Sequence, residues 1–170
     1  MAAGFVPEEQ ETLLIAPIEV LTAEATLPED VTIREVVERE DMKRIAELND
    51  VVYGRSADFG WMDELAAERV ADPDGLRIFA AEAGALMISA AWVRFPSGTE
   101  FATYWGGATH PDWRGRGIYR ALVAHRARLA AGRGCRYVQV DASDDSNPIL
   151  QRLGFVPVTT TTPYVWSPGG

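Results

Sequence analysis

The residues of this chain best suited to chemistry stand together in Arg114-Gly115-Arg116-Gly117-Ile118, just ahead of a stretch that reads as a helix to about Ala131. A helix start offers several N–H groups without intrahelical partners and a partial positive charge, which favours an anion by about 0.3–1 kcal/mol before any specific hydrogen bond forms. Glycines at 115 and 117 remove the side chains that would hold a pyrophosphate away from those N–H groups, and glycine reaches the positive φ that such a loop can require. Arg114 and Arg116 add charge. The segment is not a P-loop, because no Gly-Lys-Ser/Thr follows. Nor is it a dinucleotide fingerprint, because the third glycine and its βαβ setting are missing. What remains is a phosphate seat outside those nucleotide folds.

The elements that must hold this loop can be read from hydrophobic spacing. Leu76 to Glu82, Leu86 to Arg94 and Glu100 to Thr109 read as three strands, joined by turns at Ala83-Gly84 and Pro96-Ser97-Gly98, which makes an antiparallel meander ending at the loop. Ahead of it the pattern predicts a strand at Val31 to Val36 and a helix from Asp41 on the spacing Met42, Ile45, Leu48, Val52. A short helix from about Trp61 to Val70 follows, stopped by Asp72-Pro73-Asp74-Gly75. Beyond the loop, the helix from Ile118 is closed by Gly132 and Gly134, and Tyr137 to Val140 reads as a strand. A short helix from about Pro148 to Leu153 takes Ser146 or Asn147 as its cap, and strand-like Phe155 to Val158 and Pro163 to Trp166 end the chain. The expected fold class is α+β, with a mixed, mostly antiparallel sheet flanked by helices.

Residues 1–30 read as an N-terminal extension holding one strand, Thr12 to Val20, and residues 31–170 as the domain proper. Gly4-Phe5-Val6-Pro7 recurs as Gly154-Phe155-Val156-Pro157, each time before strand-prone residues. The repeat marks the extension either as the remnant of a preceding copy of the same unit or as a plain leading strand.

Composition bounds the function classes. At 170 residues with 47% hydrophobic and 24% charged side chains, the chain can bury a core without disulfides, and its single cysteine, Cys135, excludes a disulfide framework. The apolar stretches Leu13 to Ile18 and Ala85 to Val93 are too short to span a bilayer, so no membrane partner is expected. The start lacks a basic segment followed by a long apolar one, which gives a cytoplasmic address as the expectation. Charge is uneven within the total of -9: residues 1–110 hold 21 acidic and 8 basic side chains, residues 111–170 hold 4 and 8. A net acidic protein repels a long polyanion, so no nucleic-acid partner is expected and the arginines of the second half suit a small anionic ligand. For Arg126, Arg128 and Arg133 a solvated helix face explains the charge equally well.

The loop and its surroundings resemble the GNAT superfamily of acyl-CoA-dependent N-acetyltransferases. The family signature, Arg or Gln, two residues, Gly, one residue, Gly or Ala, opens the helix after the fourth strand, and Arg114, Gly117 and Ile118 match it. Ala108-Thr109-His110-Pro111 is similar to the strand end before it, and Leu153-Gly154-Phe155 to the family's late Leu-Gly-Phe, so the resemblance covers about residues 31–166. It implies acetyl-CoA as co-substrate without a metal, a small-molecule or peptide amine as acceptor, and direct attack in a ternary complex. It is compatible with a homodimer. Pyrophosphate would sit on Arg114, Gly115, Arg116, Gly117, Ile118 and Tyr119, pantetheine would pair with Ala108, Thr109 and His110, and Ser143 joins the cofactor set. Two departures stand out: Tyr119 replaces the family's final small residue, and Leu150 stands where the family often has a tyrosine that protonates the leaving thiolate. A thiol of pKa about 8.5 needs only roughly 2 kcal/mol of help at pH 7. A non-catalytic acyl-CoA-binding regulatory module is the competing reading.

The nucleophile demands more. A lysine-like amine of pKa about 10.4 costs roughly 4.6 kcal/mol to present neutral at pH 7, so a base or water relay is of use. Strict alternation puts Glu100, Ala102, Tyr104, Gly106 and Ala108 on one strand face, which makes Tyr104 and Glu100 candidates, and Asp141 at the next strand's end is a third. Their plain readings are a core tyrosine, a solvated turn and a loop cap. His125 falls on the apolar helix stripe and reads as a packed histidine, Cys135 as a small buried hydrophobe, and His110 as a backbone contributor. The two histidines give no metal spacing. Trp61, Trp92 and Trp105 are core or acceptor-pocket residues, which sequence leaves open.

Overall fold

The computed structural model describes residues 5–23, 25–54 and 59–166 of the chain. In chain order the elements are β1 (Phe5–Pro7), β2 (Glu11–Pro17), a 3-10 turn (Ile18–Val20), β3 (Val31–Glu35), α1 (Arg39–Tyr53), α2 (Phe59–Ala71), β4 (Leu76–Ala83), β5 (Leu86–Arg94) and β6 (Phe101–Thr109). A second 3-10 turn (Pro111–Trp113) leads to α3 (Ile118–Gly132), β7 (Tyr137–Ala142), α4 (Asn147–Arg152), β8 (Val156–Thr161) and β9 (Tyr164–Trp166). Seven strands form one sheet in the order β3-β4-β5-β6-β7-β2-β8, and β1 and β9 form a separate two-stranded ribbon. Only β6 and β7 run parallel in the seven-stranded sheet, with α3 as their crossover, so the expected mixed, mostly antiparallel α+β fold is found.

Alternation along the strands sends apolar side chains to both faces, and each face is covered by helices. Against α3 and α4 lie Leu14, Phe79, Val93, Ala102, Tyr104 and Val138, with Ile118 and Leu122 of α3 and Leu150 of α4 packed among them. Against α1 and α2 lie Ile78, Met87, Ala90, Trp92 and Ala108, with Met42, Ile45, Leu48, Met62 and Leu65 from the helices. The apolar spacing that predicted α1 is its buried stripe, with Met42, Ile45 and Leu48 inside and Val52 partly so. A left-handed Gly54 then stops the helix.

The leading segment, expected as an extension ahead of the domain, contributes β2 to the interior of that domain's sheet. β2 pairs antiparallel with β7 on one side and β8 on the other, and Leu14 and Ala16 are fully buried. It ends at Pro17 rather than Val20, where the chain turns into the first 3-10 turn.

One expectation is corrected by backbone geometry. Alternation along β6 breaks at Gly106 and Gly107, both at positive φ, because Ala91 pairs with Gly106 and Ala90 with Ala108, which leaves Gly107 as an extra residue. Tyr104 and Ala108 therefore lie on opposite faces, Tyr104 toward α3 and Ala108 toward α1 and α2. The bulge fits closely, since a Cβ on Gly106 would stand 2.4 Å from the Trp92 ring. Gly106→Ala is expected to cost about 2–3 kcal/mol through strain and overlap, read by scanning calorimetry as a fall in Tm of roughly 4–12 °C. An unchanged Tm would mean that the bulge yields freely.

Candidate active site

β6 and β7 are paired only at Phe101↔Tyr137, Ala102↔Val138 and Thr103↔Gln139, although β6 runs on to Thr109 and β7 to Ala142. From Tyr104 onward the two strands part, and a cavity of about 280 Å³ opens between them, lined by Tyr104, Trp105, Gly106, Tyr119, Asp141 and Glu11 among others. The parted edge of β6 leaves backbone groups free of a ladder partner on that side, which an extended ligand chain can use. A larger hollow of about 550 Å³ beside α1 and α2 has its charges already matched, Arg39 on Asp63 at 2.8 Å and Lys43 on Glu40 at 2.9 Å.

The start of α3 opens beside this cleft. Gly115 and Gly117 take φ of 74° and 79°, and Gly117 is the helix N-cap, with its carbonyl receiving the N–H of Ala121. The N–H groups of residues 118–120 thus precede the helical ladder. No acidic side chain occupies the first turn. A Cβ on Gly115 would meet nothing within 4 Å, so conformation rather than space selects glycine there. Arg114 donates from Nε to the Thr109 carbonyl at 3.2 Å, Arg116 lies over the Trp113 ring at 4.7 Å, and neither forms a salt bridge among the described residues. Unpaired cations, open N–H groups and no competing carboxylate are what a pyrophosphate requires.

The structure gathers some of the sequence-derived candidates and separates others. Ile118 is buried beneath the loop. Tyr119 turns inward and lies against Gly107, so near that a Cβ there would stand 2.9 Å from its ring, and burial raises its phenol above the usual value. Ala108 is buried and its carbonyl accepts from Ser89 Oγ at 2.7 Å, while Thr109 Oγ1 shares a 2.9 Å bond with the same hydroxyl. The His110 backbone N–H is given to the Ile88 carbonyl, and its Nδ1 accepts from the Asp112 N–H at 3.3 Å. Ser143 lines the cleft and caps the turn into α4, its carbonyl accepting from the N–H groups of Ser146 and Asn147.

Among the base candidates, Asp141 alone stands where a carboxylate faces the cleft, accepting from Thr161 Oγ1 at 2.8 Å. Glu100 sits at the far end of β6, exposed and 3.4 Å from Arg136, which is the solvated-turn reading. Tyr104 reaches the cleft wall, but its hydroxyl donates to the Val123 carbonyl at 3.1 Å and burial holds its pKa far above that of free phenol. His125 packs edge-on against Phe79 at 4.7 Å, with burial lowering its pKa. Trp92 is core with Trp61 5.7 Å away, whereas Trp105 is largely exposed at the cleft.

Two residues here were not singled out from sequence as site residues. Glu11 of β2 lines the cleft, and burial, then the charge of Asp141, then that of Glu8 push its carboxyl above the usual glutamate value. Arg126, for which a solvated helix face was one reading, is 1% exposed: its guanidinium donates to the carbonyls of Leu122, Trp92 and Trp105 and lies 4.0 Å from the centre of the Tyr104 ring. The lone signal for Glu11 was an acidic residue beginning an apolar run.

A family model described as the acetyltransferase (GNAT) family matches residues 42–155. Among solved structures, a GCN5-related N-acetyltransferase from Sphaerobacter thermophilus is similar at 20% identity and a TM-score of 0.71, over 95% of this chain and 51% of that one. One from Kribbella flavida matches at 17% identity and a TM-score of 0.64, over 98% of this chain and 61% of its own. An acetyltransferase from Clostridium acetobutylicum, solved with acetyl-CoA, matches at 18% identity and a TM-score of 0.63, over 75% of this chain and 91% of its own. This chain spans about half to three-fifths of the length of the first two.

The raised Glu11 carboxyl has a sign that can be measured. The folded chain holds that proton more tightly than the unfolded chain, whose glutamate titrates near about 4.3, so stability is lost as pH rises through the raised value. Glu11→Gln, which cannot ionise, is expected to melt above the parent at pH 8 and level with it at pH 4 in a fluorimetric melt. A variant melting below the parent at pH 8 would show the carboxylate to be a stabilising group.

Proposed function

Because the chain belongs to the acetyltransferase (GNAT) family, we propose that it moves an acetyl group from acetyl-CoA to a primary amine by direct attack in a ternary complex. The observation that carries this reading is the single cleft that joins the open start of α3, through Tyr119, to the carboxylates of Glu11 and Asp141. Main-chain N–H groups at Gly117, Ile118 and Tyr119, with Arg114 and Arg116, would hold the pyrophosphate, and the unpaired side of β6 would hold the pantetheine arm. Acetyl-CoA supplies the activated acyl group.

The chain's own groups then manage charge and protons. An amine arrives as ammonium, and Asp141 and Glu11 draw it to the mouth of the cleft. Glu11, whose carboxyl is already held above the ordinary range, is the better matched proton acceptor, while Asp141, tied to Thr161, keeps its orientation. Glu11 takes one proton from the ammonium, which frees the nitrogen lone pair; the neutral amine then bonds to the acyl carbon as the carbon–sulfur bond breaks, and the second proton that nitrogen sheds replaces the one the departing thiolate takes up. The phenol of Tyr119, which lines the cleft from the α3 side, is assigned as donor to the departing thiolate, in the role that Leu150, fully buried in the core, cannot fill. Holding both reactants in one cleft supplies much of the acceleration.

Two measurements test the reading. In calorimetry Gly117→Val is expected to weaken acetyl-CoA binding by roughly tenfold or more, about 1.4 kcal/mol, and unchanged affinity would remove the helix start from the binding site. With a panel of amines, Glu11→Gln is expected to lower kcat/KM by about 10²–10³-fold and to abolish the acidic limb of its pH profile. Tight binding of acetyl-CoA by the parent chain, with no CoA released to any amine, would favour the non-catalytic module instead.

A further inference from the structure

β1 and β9 make a two-stranded ribbon whose side chains are apolar and in water. Phe5, Val6, Tyr164, Val165 and Trp166 are 51%, 60%, 60%, 44% and 56% exposed. A ribbon of three residues a side has little stability of its own, and five adjoining large apolar groups are more than a free surface ordinarily carries. The ribbon continues the β2–β8 ladder, linked by the bond from the Glu8 N–H to the Pro163 carbonyl.

The repeated Gly-Phe-Val-Pro says what this ribbon resembles. Its first copy contains β1 and its second leads into β8, so β1 corresponds to β8 and, by the same spacing, β9 corresponds to the end of β2; Gly4 itself lies outside the described residues. Moving each strand by that spacing carries Leu14↔Pro157 onto Tyr164↔Pro7 and Ile15↔Val156 onto Val165↔Val6. The counterparts differ in environment: Leu14, Ala16 and Phe155 are buried, whereas Tyr164, Trp166 and Phe5 are exposed. β2 lies between β7 and β8, but among the described residues β9 has only β1 beside it, so the place that β7 fills in the main sheet has no occupant along β9 there.

We propose that this place is filled by a second unit of the same fold, lying ahead of this one in a longer polypeptide, and that the two units exchange their last strands. The leading segment, β1 and β2, is the end of that preceding unit. Its last strand, β2, completes the present sheet and brings Glu11 into the cleft, while β9 is inserted beside β1 to complete the other. Similar structures divide in the same way. Those matching 92–98% of this chain are so long that it spans only 51–65% of them. Those matching 74–75% are covered over 85–93% of their own length.

The experiment begins with the polypeptide in the cells that make it, sized by immunoblot and intact mass. A mass between one and a half and two times the 18.6 kDa of this chain is expected, and an 18.6 kDa polypeptide, monomeric or dimeric, overturns the proposal. Hydrogen exchange then compares that polypeptide with the 170-residue chain. The amides of residues 164–166 are expected to exchange roughly a hundredfold more slowly in the longer protein. Equal exchange in the two overturns the strand exchange even if the mass is large. Neither readout depends on acetyl transfer.

Discussion

The β-bulge at Gly106 and Gly107, clamped by the buried guanidinium of Arg126, is the constraint on which the rest of this structure turns. A guanidinium with no carboxylate against it is costly to bury, and here it is satisfied by three backbone carbonyls and the face of Tyr104. Burial pulls its pKa below the usual arginine value, yet an arginine begins so high that the group stays charged. Two of those carbonyls, from Trp92 and Trp105, belong to the paired strands at the bulge, so the clamp fixes the point where β6 changes faces. β6 has already parted from β7 at Tyr104, just ahead of the bulge, and the cleft lies where the two strands diverge.

Electrostatics follows from how the acidic side chains are paired rather than from their number. Arg34 bridges Asp41 and Glu82 at 2.7 and 2.8 Å, Arg44 joins the same pair, Arg77 and Arg69 hold Glu35, and Arg94 holds Glu68. In each case the arginine keeps the carboxyl below its ordinary value despite partial burial. These groups brace β3, β4 and the helices, and their fields largely cancel. Glu11 and Asp141 differ, because Asp141 and Glu8 are the charges that act on Glu11 and neither cleft carboxylate joins an ion pair among the described residues, the Arg126 guanidinium in the same lining being held by backbone carbonyls. The acidity that matters to an incoming cation is thus two carboxylates, a much sharper feature than a net charge of -9.

What was legible in the sequence was whatever local spacing decides. The periodic stripe of α1, the glycines before α3 and the meander from Leu76 to Thr109 all stand where their patterns put them, since each depends on neighbours a few residues away. Reading failed where pairing is long-range. Strict alternation placed Tyr104 with Ala108, and Gly106-Gly107 within a strand was the available sign of a bulge. Glu100 was grouped with the site by face alone, although the paired stretch Phe101 to Thr103 of β6 separates it from the cleft. Nothing local to Glu11 says that β2 will lie beside β7, and Arg126 gave no hint that its place on α3 faces two carbonyls of the bulge.

The two sides of the cleft therefore rest on different physics. The proposed anion seat is made by one continuous stretch, from Thr109 through the first turn of α3, whose geometry is set by two left-handed glycines and the helix that follows. The carboxylate side is made by β7 and β2, strands far apart in sequence that meet only when the sheet is complete. Non-local pairing carries the greater loop-closure cost and is the first to loosen. A change that frees β2 removes Glu11 and unseats the strand beside Asp141, while the glycine turn keeps its form. On the proposed reading, binding an acyl carrier and using it are separable by a single strand.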